Sequence, residues 1–374
     1  MSDQIQLFRK PMEYVNLLFP VILLFFAVSE MLSGRLYLSS YSGLISFMQD
    51  VIFFNGLHIC FTYIVIFCTP AGRSAAFHYF QEFGKKGLLR IALVFFGSVL
   101  MYFYFNQFVQ PSSLWQLFFY VPLLFARRKH DLGQSKGLLR IANLQTQKNL
   151  KESAAVSKFL LIQKWEHRLI GVFFWTSTIA VFTFFNYKSS LGSIGLYLFW
   201  VTFPLSIAIA LGLSACALMS PVGTRRWKLL FSARFYTKVL SPYSTLLTFG
   251  GASVHGIEYF CVTDKIIRHQ RKEKKTHILL SPIVFSSLLF VTLLGYAVLY
   301  YPKFYLPSSL AEGETSALYA ALVSIALGLT VTHYFLDHLL FTPKYKFAIP
   351  LLKALGDYEV PADIKEVKSP KESA

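Results

Sequence analysis

Residues 194–219 read IGLYLFWVTFPLSIAIALGLSACALM, a run without one charged side chain. A helix needs about 20 apolar residues to cross the hydrocarbon core of a bilayer. Comparable runs occur near residues 12–32, 44–68, 88–107, 113–126, 168–187, 194–219, 278–301 and 316–342. The sequence therefore predicts an all-α fold, a polytopic transmembrane bundle of about eight spans.

The composition of all 374 residues agrees with a membrane protein. Hydrophobic residues make up 55% of the chain, and charged residues make up 15%, against about 25% in soluble domains. The first apolar run follows a charged opening and has no cleavage-site pattern, so we expect a retained first span. The four cysteines form no C-x-x-C pair and are interpreted as small buried apolar residues.

The net charge of +17 predicts the topology. Lysines and arginines fall mostly in alternate loops, and cytoplasmic loops are enriched in these residues. The pattern predicts an integral cell-membrane protein with both termini in the cytoplasm, in contact with anionic headgroups. Nucleic-acid binding is disfavoured, because no compact basic domain stands apart from the apolar runs. We expect a membrane domain at 1–352, with a polar cytoplasmic helical segment at 127–167, and a disordered cytoplasmic tail at 353–374.

Two segments are irregular. Residues 222–270 are apolar but flanked by basic clusters, which favours an amphipathic interfacial helix near 225–239. A helix or re-entrant element near 243–268 would follow, and Gly250 and Gly251 would permit a break in it. The heptapeptide KGLLRIA occurs at 86–92 and at 136–142, and we interpret it as a reused start of an interfacial helix.

Four of the nine histidines have a carboxylate or carboxamide one helical turn later. The pairs are His78 and Glu82, His130 and Gln134, His255 and Glu258, and His333 and Asp337. Spacings of three or four residues place both side chains on one helix face. Such pairs can bind a metal, or they can hold a base whose ring is oriented by its partner.

A shell of imidazoles and carboxylates suits iron, zinc or manganese, and helix bundles build di-iron sites from similar residues. Ionisable residues inside a membrane are functional candidates by default, although they can also simply hold helices together. Function is favoured for the pairs at His255 and His333. His78 and Glu82 are interpreted as a solvated face, His58 as a packed helix-interface residue, and His338 as a spare ligand.

The segments HDLGQSKG, HGIEY and HYFLDHLLF resemble a pattern in poorly characterised polytopic bacterial membrane proteins. That pattern is H-x-x-x-Q-x-x-G, H-x-x-x-Y and H-Y-x-x-D-x-x-[IL]-[WF]. The resemblance singles out His130, Gln134, Gly137, His255, Tyr259, His333, Tyr334 and Asp337. It groups these residues without implying an activity, and the chain before His130 does not contribute to it.

The sequence predicts a membrane-embedded metal-dependent enzyme near the cytoplasmic leaflet. The expected metal is divalent, with iron favoured and zinc or manganese as alternatives. Its predicted ligands are His130, His255, His333, Asp337 and, through the resemblance, Gln134. Glu258 completes or orients this shell as a catalytic residue, and the resemblance adds Tyr259 and Tyr334 to the catalytic set.

With iron, the expected activity is that of a non-haem oxidoreductase, which would modify an apolar or lipid substrate. An electron-donor protein is the expected partner, together with the lipid bilayer. The alternative is a proton- or cation-coupled transporter, in which Glu30 and Asp50 line a polar pathway. Phosphate-binding loops, a nucleophile elbow and the H-E-x-x-H motif are absent from the sequence.

Overall fold

The computed structural model describes residues 11–33, 55–108, 114–150, 153–186, 191–272, 281–300, 315–340, 348–349 and 351. Within these ranges the regular structure is helical and contains no strand, which confirms the all-α prediction. The long helices are α1 Pro11–Ser33, α2 Asn55–Cys68, α3 Pro70–Phe108, α4 Leu114–Asn149, α5 Ser153–Asn186, α6 Gly192–Met219, α7 Val222–Leu240, α8 Thr245–Lys272, α9 Pro282–Tyr300 and α10 Thr315–Leu340.

Among the described helices, five are long and apolar enough to cross a membrane. Their candidate spans are Tyr14–Ser33, Pro70–Phe105, Ala154–Phe184, Gly192–Met219 and Ala317–Leu339. Two shorter apolar helical segments add His58–Cys68 and Ile283–Leu299. The helical class of the fold is thus confirmed, whereas the count of about eight crossings and the side of the termini stay predictions.

The chain divides into two compact units. The first unit comprises Met1–Asn55 and Val109–Cys261, and the second comprises Gly56–Phe108 and Val262–Ala374. In the first unit α5 packs along α6, and α7 packs against both α6 and α1. In the second unit α10 packs along α3.

The contact between α3 and α10 depends on a small residue. A Cβ atom added at Gly328 would lie 2.5 Å from Val99 Cγ2, which is closer than packed atoms approach. Only glycine therefore lets these two helices approach so closely, as small residues do in membrane helix pairs. The position matters for the site, because α10 carries His333 and Asp337.

Helix α7 covers the predicted interfacial helix near 225–239, and three of its basic residues are buried although Arg225 and Arg226 are exposed. Lys228, Arg234 and Lys238 are at most 3% exposed. These three cations of α7 therefore lie inside the first unit, and the interfacial location of the helix stays a prediction. The physical reason for their burial is that acidic partners from other helices neutralise these cations, as described below.

Glycines have different effects on the backbone in two of the helices. Helix α8 continues through Gly250 and Gly251, which could have permitted a break. Helix α3 is instead broken at Gly84, which has φ 52° and ψ −137°, a conformation that favours glycine. The first KGLLRIA copy follows this break, but the second lies in the middle of α4, so it does not start a helix.

Candidate metal centre

A group of metal-ligand side chains lies in the core of the second unit. Helix α2 contributes His58, and helix α10 contributes His333 and Asp337 one turn apart. Their exposed fractions are 2%, 0% and 3%, respectively. One candidate ligand atom from each of the three residues lies within 4.8 Å of those from the others.

The two imidazole rings face each other directly. His58 Nε2 lies 2.7 Å from His333 Nε2, and the ring planes are inclined at 86°. The Asp337 Oδ1 atom lies 3.7 Å from His333 Nδ1. Because the two Nε2 atoms cannot both carry a proton at this distance, the pair shares one proton or one metal ion.

These three residues fit a divalent metal. Zinc–nitrogen bonds are about 2.0–2.1 Å long, so two imidazole nitrogens on one tetrahedral ion lie roughly 3.3 Å apart. The observed separation of 2.7 Å is shorter than that value, so the two rings would have to move slightly apart to bind one ion. Two neutral imidazoles and one carboxylate have a formal charge of −1, which a divalent cation complements. This donor set is also the 2-His-1-carboxylate combination of non-haem iron sites.

Hydrogen bonds from α2 orient the carboxylate. Thr62 lies one turn after His58, and its hydroxyl donates to Asp337 Oδ1 at 2.9 Å. The next residue, Tyr63, donates its hydroxyl to the Leu329 carbonyl oxygen at 2.9 Å. Two side chains of α2 thus anchor α10, and such outer contacts fix the orientation of metal ligands.

His58 was predicted to be a packed helix-interface residue, and it does lie buried at the contact between α2 and α10. Its role as a candidate ligand was missed. A signal was available, because Thr62 follows His58 by four residues and both occupy one face of α2. The contact with His333 could not be predicted, because the two histidines lie 275 residues apart in the sequence.

A second group of polar side chains lies in the first unit. His255 Nδ1 lies 3.4 Å from Asp131 Oδ1 and 3.6 Å from Glu258 Oε2. The Ser135 hydroxyl donates to Glu258 Oε1 at 3.1 Å. The His130 ring packs edge-to-face on His255, with 4.9 Å between the ring centroids. Asp131, His255 and Glu258 are therefore a further potential set of metal ligands.

Two cations of α7 already neutralise this group. Arg234 donates a charge-assisted hydrogen bond to Glu258, and Lys238 donates one to Asp131. The Arg234 guanidinium also donates to the Asn16 backbone and side-chain oxygens, both at 3.3 Å. A divalent ion here would lie beside two positive side chains, which is electrostatically costly. The trio in the second unit is therefore the better metal centre.

The ionisation of Asp131 agrees with this assignment. Burial raises the pKa of the Asp131 carboxyl, but the positive charges of Lys238 and His255 lower it by more. The net result is a pKa lowered from 3.8 to about 2. Asp131 lies outside the five candidate spans. Its carboxylate therefore stays ionised at neutral pH and stays paired with Lys238.

The sequence-predicted residues divide between the two units. His130, Gln134, His255, Glu258 and Tyr259 belong to the first unit, and His333, Tyr334 and Asp337 belong to the second. Gln134 is half-buried and Tyr259 is buried. The Tyr334 ring centroid lies 5.3 Å from that of His333. Convergence of His130 and His255 with His333 would join the two units, so it stays a prediction.

A further buried ion pair joins α5 and α7. The Lys228 ammonium donates to Glu166 Oε1 at 2.6 Å, and it lies 4.8 Å from the Phe159 ring centroid. Asn143 donates to the other carboxylate oxygen of Glu166 at 3.0 Å. This pair was not predicted, because both residues appear in the sequence as members of ordinary polar segments.

The other acidic residues and histidines that the sequence singled out are Glu30, Asp50, His78, Glu82 and His338. Glu30 is 2% exposed and accepts a hydrogen bond from the Ser244 hydroxyl. Asp50, which was predicted to line a polar pathway together with Glu30 in the transporter alternative, lies outside the described residues. His78 and Glu82 are exposed, as predicted, and His338 is exposed as well.

No protein-family model, curated protein or solved structure matches this chain.

Proposed function

We propose that this chain is a membrane-embedded, metal-dependent enzyme whose metal is held by His58, His333 and Asp337. The observation that carries the proposal is the 2.7 Å approach of the two histidine Nε2 atoms beside a buried carboxylate. The proposal adds His58 to the predicted ligands His333 and Asp337.

The finer proposal is a non-haem iron oxidoreductase that acts on an apolar or lipid substrate. Three protein ligands leave coordination positions open, and an iron ion bound by this donor set supplies oxygen-dependent chemistry. Thr62 positions Asp337 through its hydroxyl. Of the three predicted catalytic residues, we assign Tyr334 to this site, because it neighbours His333. An electron-donor protein would be required as a partner.

The test is the metal content of protein purified in detergent without chelators, measured by elemental mass spectrometry. We expect about one equivalent of metal in the wild type and a loss of most of it in His58→Ala and His333→Ala. His78→Ala is the matched control, because this exposed histidine has its own carboxamide contact with Gln81 at 3.2 Å.

The metal that is found decides the finer proposal. Iron favours the oxidoreductase, and it would be followed by measuring oxygen consumption with a reductant and lipid. Zinc would contradict the proposal of an oxidoreductase but would agree with the broader proposal of a metal-dependent enzyme. Wild-type protein that carries no metal, and takes up none when iron, zinc or manganese is added, would refute the whole proposal.

A second candidate function is a proton- or cation-coupled transporter. The observation that favours it is the placement of His255 between the buried Glu258 and the half-buried Asp131, each paired with a cation of α7. Chains of buried acidic and histidine residues are typical of proton relays. Proton flux in proteoliposomes that is abolished by His255→Gln, and unchanged by His333→Ala, would favour the transporter over the enzyme.

A further inference from the structure

The second copy of the heptapeptide KGLLRIA, at 136–142, places two cations on one face of α4. Lys136 and Arg140 are the first and fifth residues of this copy, and a spacing of four residues puts both side chains on the same helix face. Lys136 is half-buried and Arg140 is exposed. Burial and the neighbouring charge of Arg140 lower the pKa of the Lys136 ammonium. The two like charges repel each other, and an anion between them would relieve this repulsion.

Helix α5 adds a third basic side chain. Asn143, one turn after Arg140, donates to Glu166 Oε2 at 3.0 Å, and this contact brings α4 and α5 together. The next residue of α5 is His167, which is exposed. Lys136 and Arg140 both lie close enough to His167 to interact with it electrostatically. We call Lys136, Arg140 and His167 the basic triad.

The acidic residues of α4 and α5 do not neutralise the basic triad. Each of these helices contains a single acidic residue, Asp131 in α4 and Glu166 in α5. Asp131 accepts a hydrogen bond from Lys238, and Glu166 accepts one from Lys228, so α7 already neutralises both. Within the described part of the chain, no residue of the triad forms an ion pair. The triad is therefore an uncompensated positive patch on the first unit.

The surface of α4 beside the triad is open. A Cβ atom added at Gly133 or Gly137 would have no neighbouring atom within 4 Å. At 3.6 residues per turn, positions 133, 136, 137 and 140 fall within about 100° of one another around the helix. The two glycines therefore lie on the same side of α4 as Lys136 and Arg140, and they leave room for a ligand beside these cations.

The triad lies where the apolar segment of α5 begins. Residues 169–186 contain no charged side chain, whereas Lys164, His167 and Arg168 come shortly before them. Trp165 is 51% exposed, and the Arg168 guanidinium lies 5.7 Å from its ring centroid. Exposed tryptophan and basic residues at the end of an apolar segment are typical of the level of lipid headgroups. In a bilayer, the anion at this level is a headgroup phosphate.

We propose that the basic triad binds the phosphate of a phospholipid whose headgroup is a phosphomonoester, as in phosphatidic acid. A phosphomonoester carries about −1.5 to −2 charges at pH 7 and has three strong acceptor oxygens. The planar guanidinium of Arg140 suits bidentate binding of a phosphate, and Lys136 and a ring N–H of His167 supply further donors. A phosphodiester headgroup has less charge and fewer free oxygens, so it binds more weakly. No triad residue is a proposed metal ligand, so this lipid site is independent of the proposed enzyme.

The first copy of the heptapeptide is the matched control. Lys86 and Arg90 occupy the same positions of KGLLRIA at 86–92, and both are exposed. Arg90 lies over the Phe83 ring, 5.0 Å from its centroid, and this copy belongs to the second unit. Lys86→Gln/Arg90→Gln therefore removes the same two charges from an identical local sequence and leaves the triad intact.

The experiment is native mass spectrometry of the full chain in detergent, with phosphatidic acid, phosphatidylglycerol or phosphatidylcholine of identical acyl chains. We expect phosphatidic acid to bind most tightly and phosphatidylcholine least tightly. Lys136→Gln/Arg140→Gln should weaken the binding of phosphatidic acid about 25-fold, because each basic residue near an anionic lipid surface contributes about fivefold. His167→Gln should also weaken it, whereas His167→Lys and Lys86→Gln/Arg90→Gln should preserve it.

Equal binding of the three lipids by the wild type would overturn the inference. Equal effects of the two double variants would overturn it as well, because binding would then follow only the net charge of the protein. Glycerol 3-phosphate provides a phosphomonoester without acyl chains. We expect it to bind far more weakly than phosphatidic acid, and equally tight binding would overturn the assignment of the site to a membrane lipid.

Discussion

Replacing Arg234 by methionine should severely destabilise the first unit. The Arg234 side chain is 0% exposed and its partner Glu258 is 1% exposed. The guanidinium also donates to Asn16 and lies 3.7 Å from the Phe231 ring centroid. Removing one partner of a buried ion pair leaves an uncompensated charge, at a cost of about 3–5 kcal/mol.

The size of the effect follows from burial, and an exposed pair shows the contrast. Arg268 and Asp264 form an ion pair of 2.7 Å, but their side chains are 45% and 29% exposed. Exposed pairs of this kind contribute about 0.3–0.5 kcal/mol. Arg268→Met is therefore the matched control, and we expect its free energy of unfolding to stay within about 0.5 kcal/mol of the wild type.

A double-mutant cycle separates the ion pair from simple packing. Removing both charges in Arg234→Met/Glu258→Gln should cost less than Arg234→Met alone, because no unpaired buried charge remains. The assay is denaturant unfolding in detergent, followed by tryptophan fluorescence. The reasoning is refuted if Arg234→Met costs no more than Arg268→Met, or if the two single changes add without coupling.

Two further predictions concern the second unit. Thr62→Val removes the hydrogen bond to Asp337 and should weaken metal binding about 10- to 100-fold. Thr292→Val, which loses only a local bond to a backbone carbonyl of its own helix, should leave metal titrations unchanged, and equal effects would contradict the assigned role. Gly87→Ala should be about 1–3 kcal/mol less stable in unfolding than Gly137→Ala, because a Cβ atom meets Tyr79 at position 87 and open space at position 137. Equal stabilities would show that Tyr79 adapts at no cost.

Local sequence determined the helices of this protein. An apolar run long enough to cross a bilayer has to satisfy its backbone hydrogen bonds internally, and a helix does so without any partner. The predicted span at 194–219 therefore falls within α6, which runs from Gly192 to Met219. The spacing of His333 and Asp337 likewise placed both side chains on one face of α10, because it depends only on helix geometry.

Residues from distant helices decided the candidate site. His58 joins His333 across 275 residues of sequence, and Lys238 joins Asp131 across 107. No periodic pattern encodes such pairs, because each depends on which helix faces pack together. For the same reason the sequence did not predict that Arg234 and Lys238 lie beside Glu258 and Asp131.

The sequence by itself thus determined an all-helical protein, with helices long and apolar enough to cross a membrane and with histidine–carboxylate pairs at helical spacing. Only the tertiary structure distinguished between the pairs. In the folded protein Arg234 and Lys238 neutralise the carboxylates near His255. His58 instead contacts His333 of the pair His333 and Asp337. The physical reason is electrostatic. Whether a buried carboxylate is already neutralised or is left to bind a metal depends on the charge packed against it, and that charge belongs to another helix.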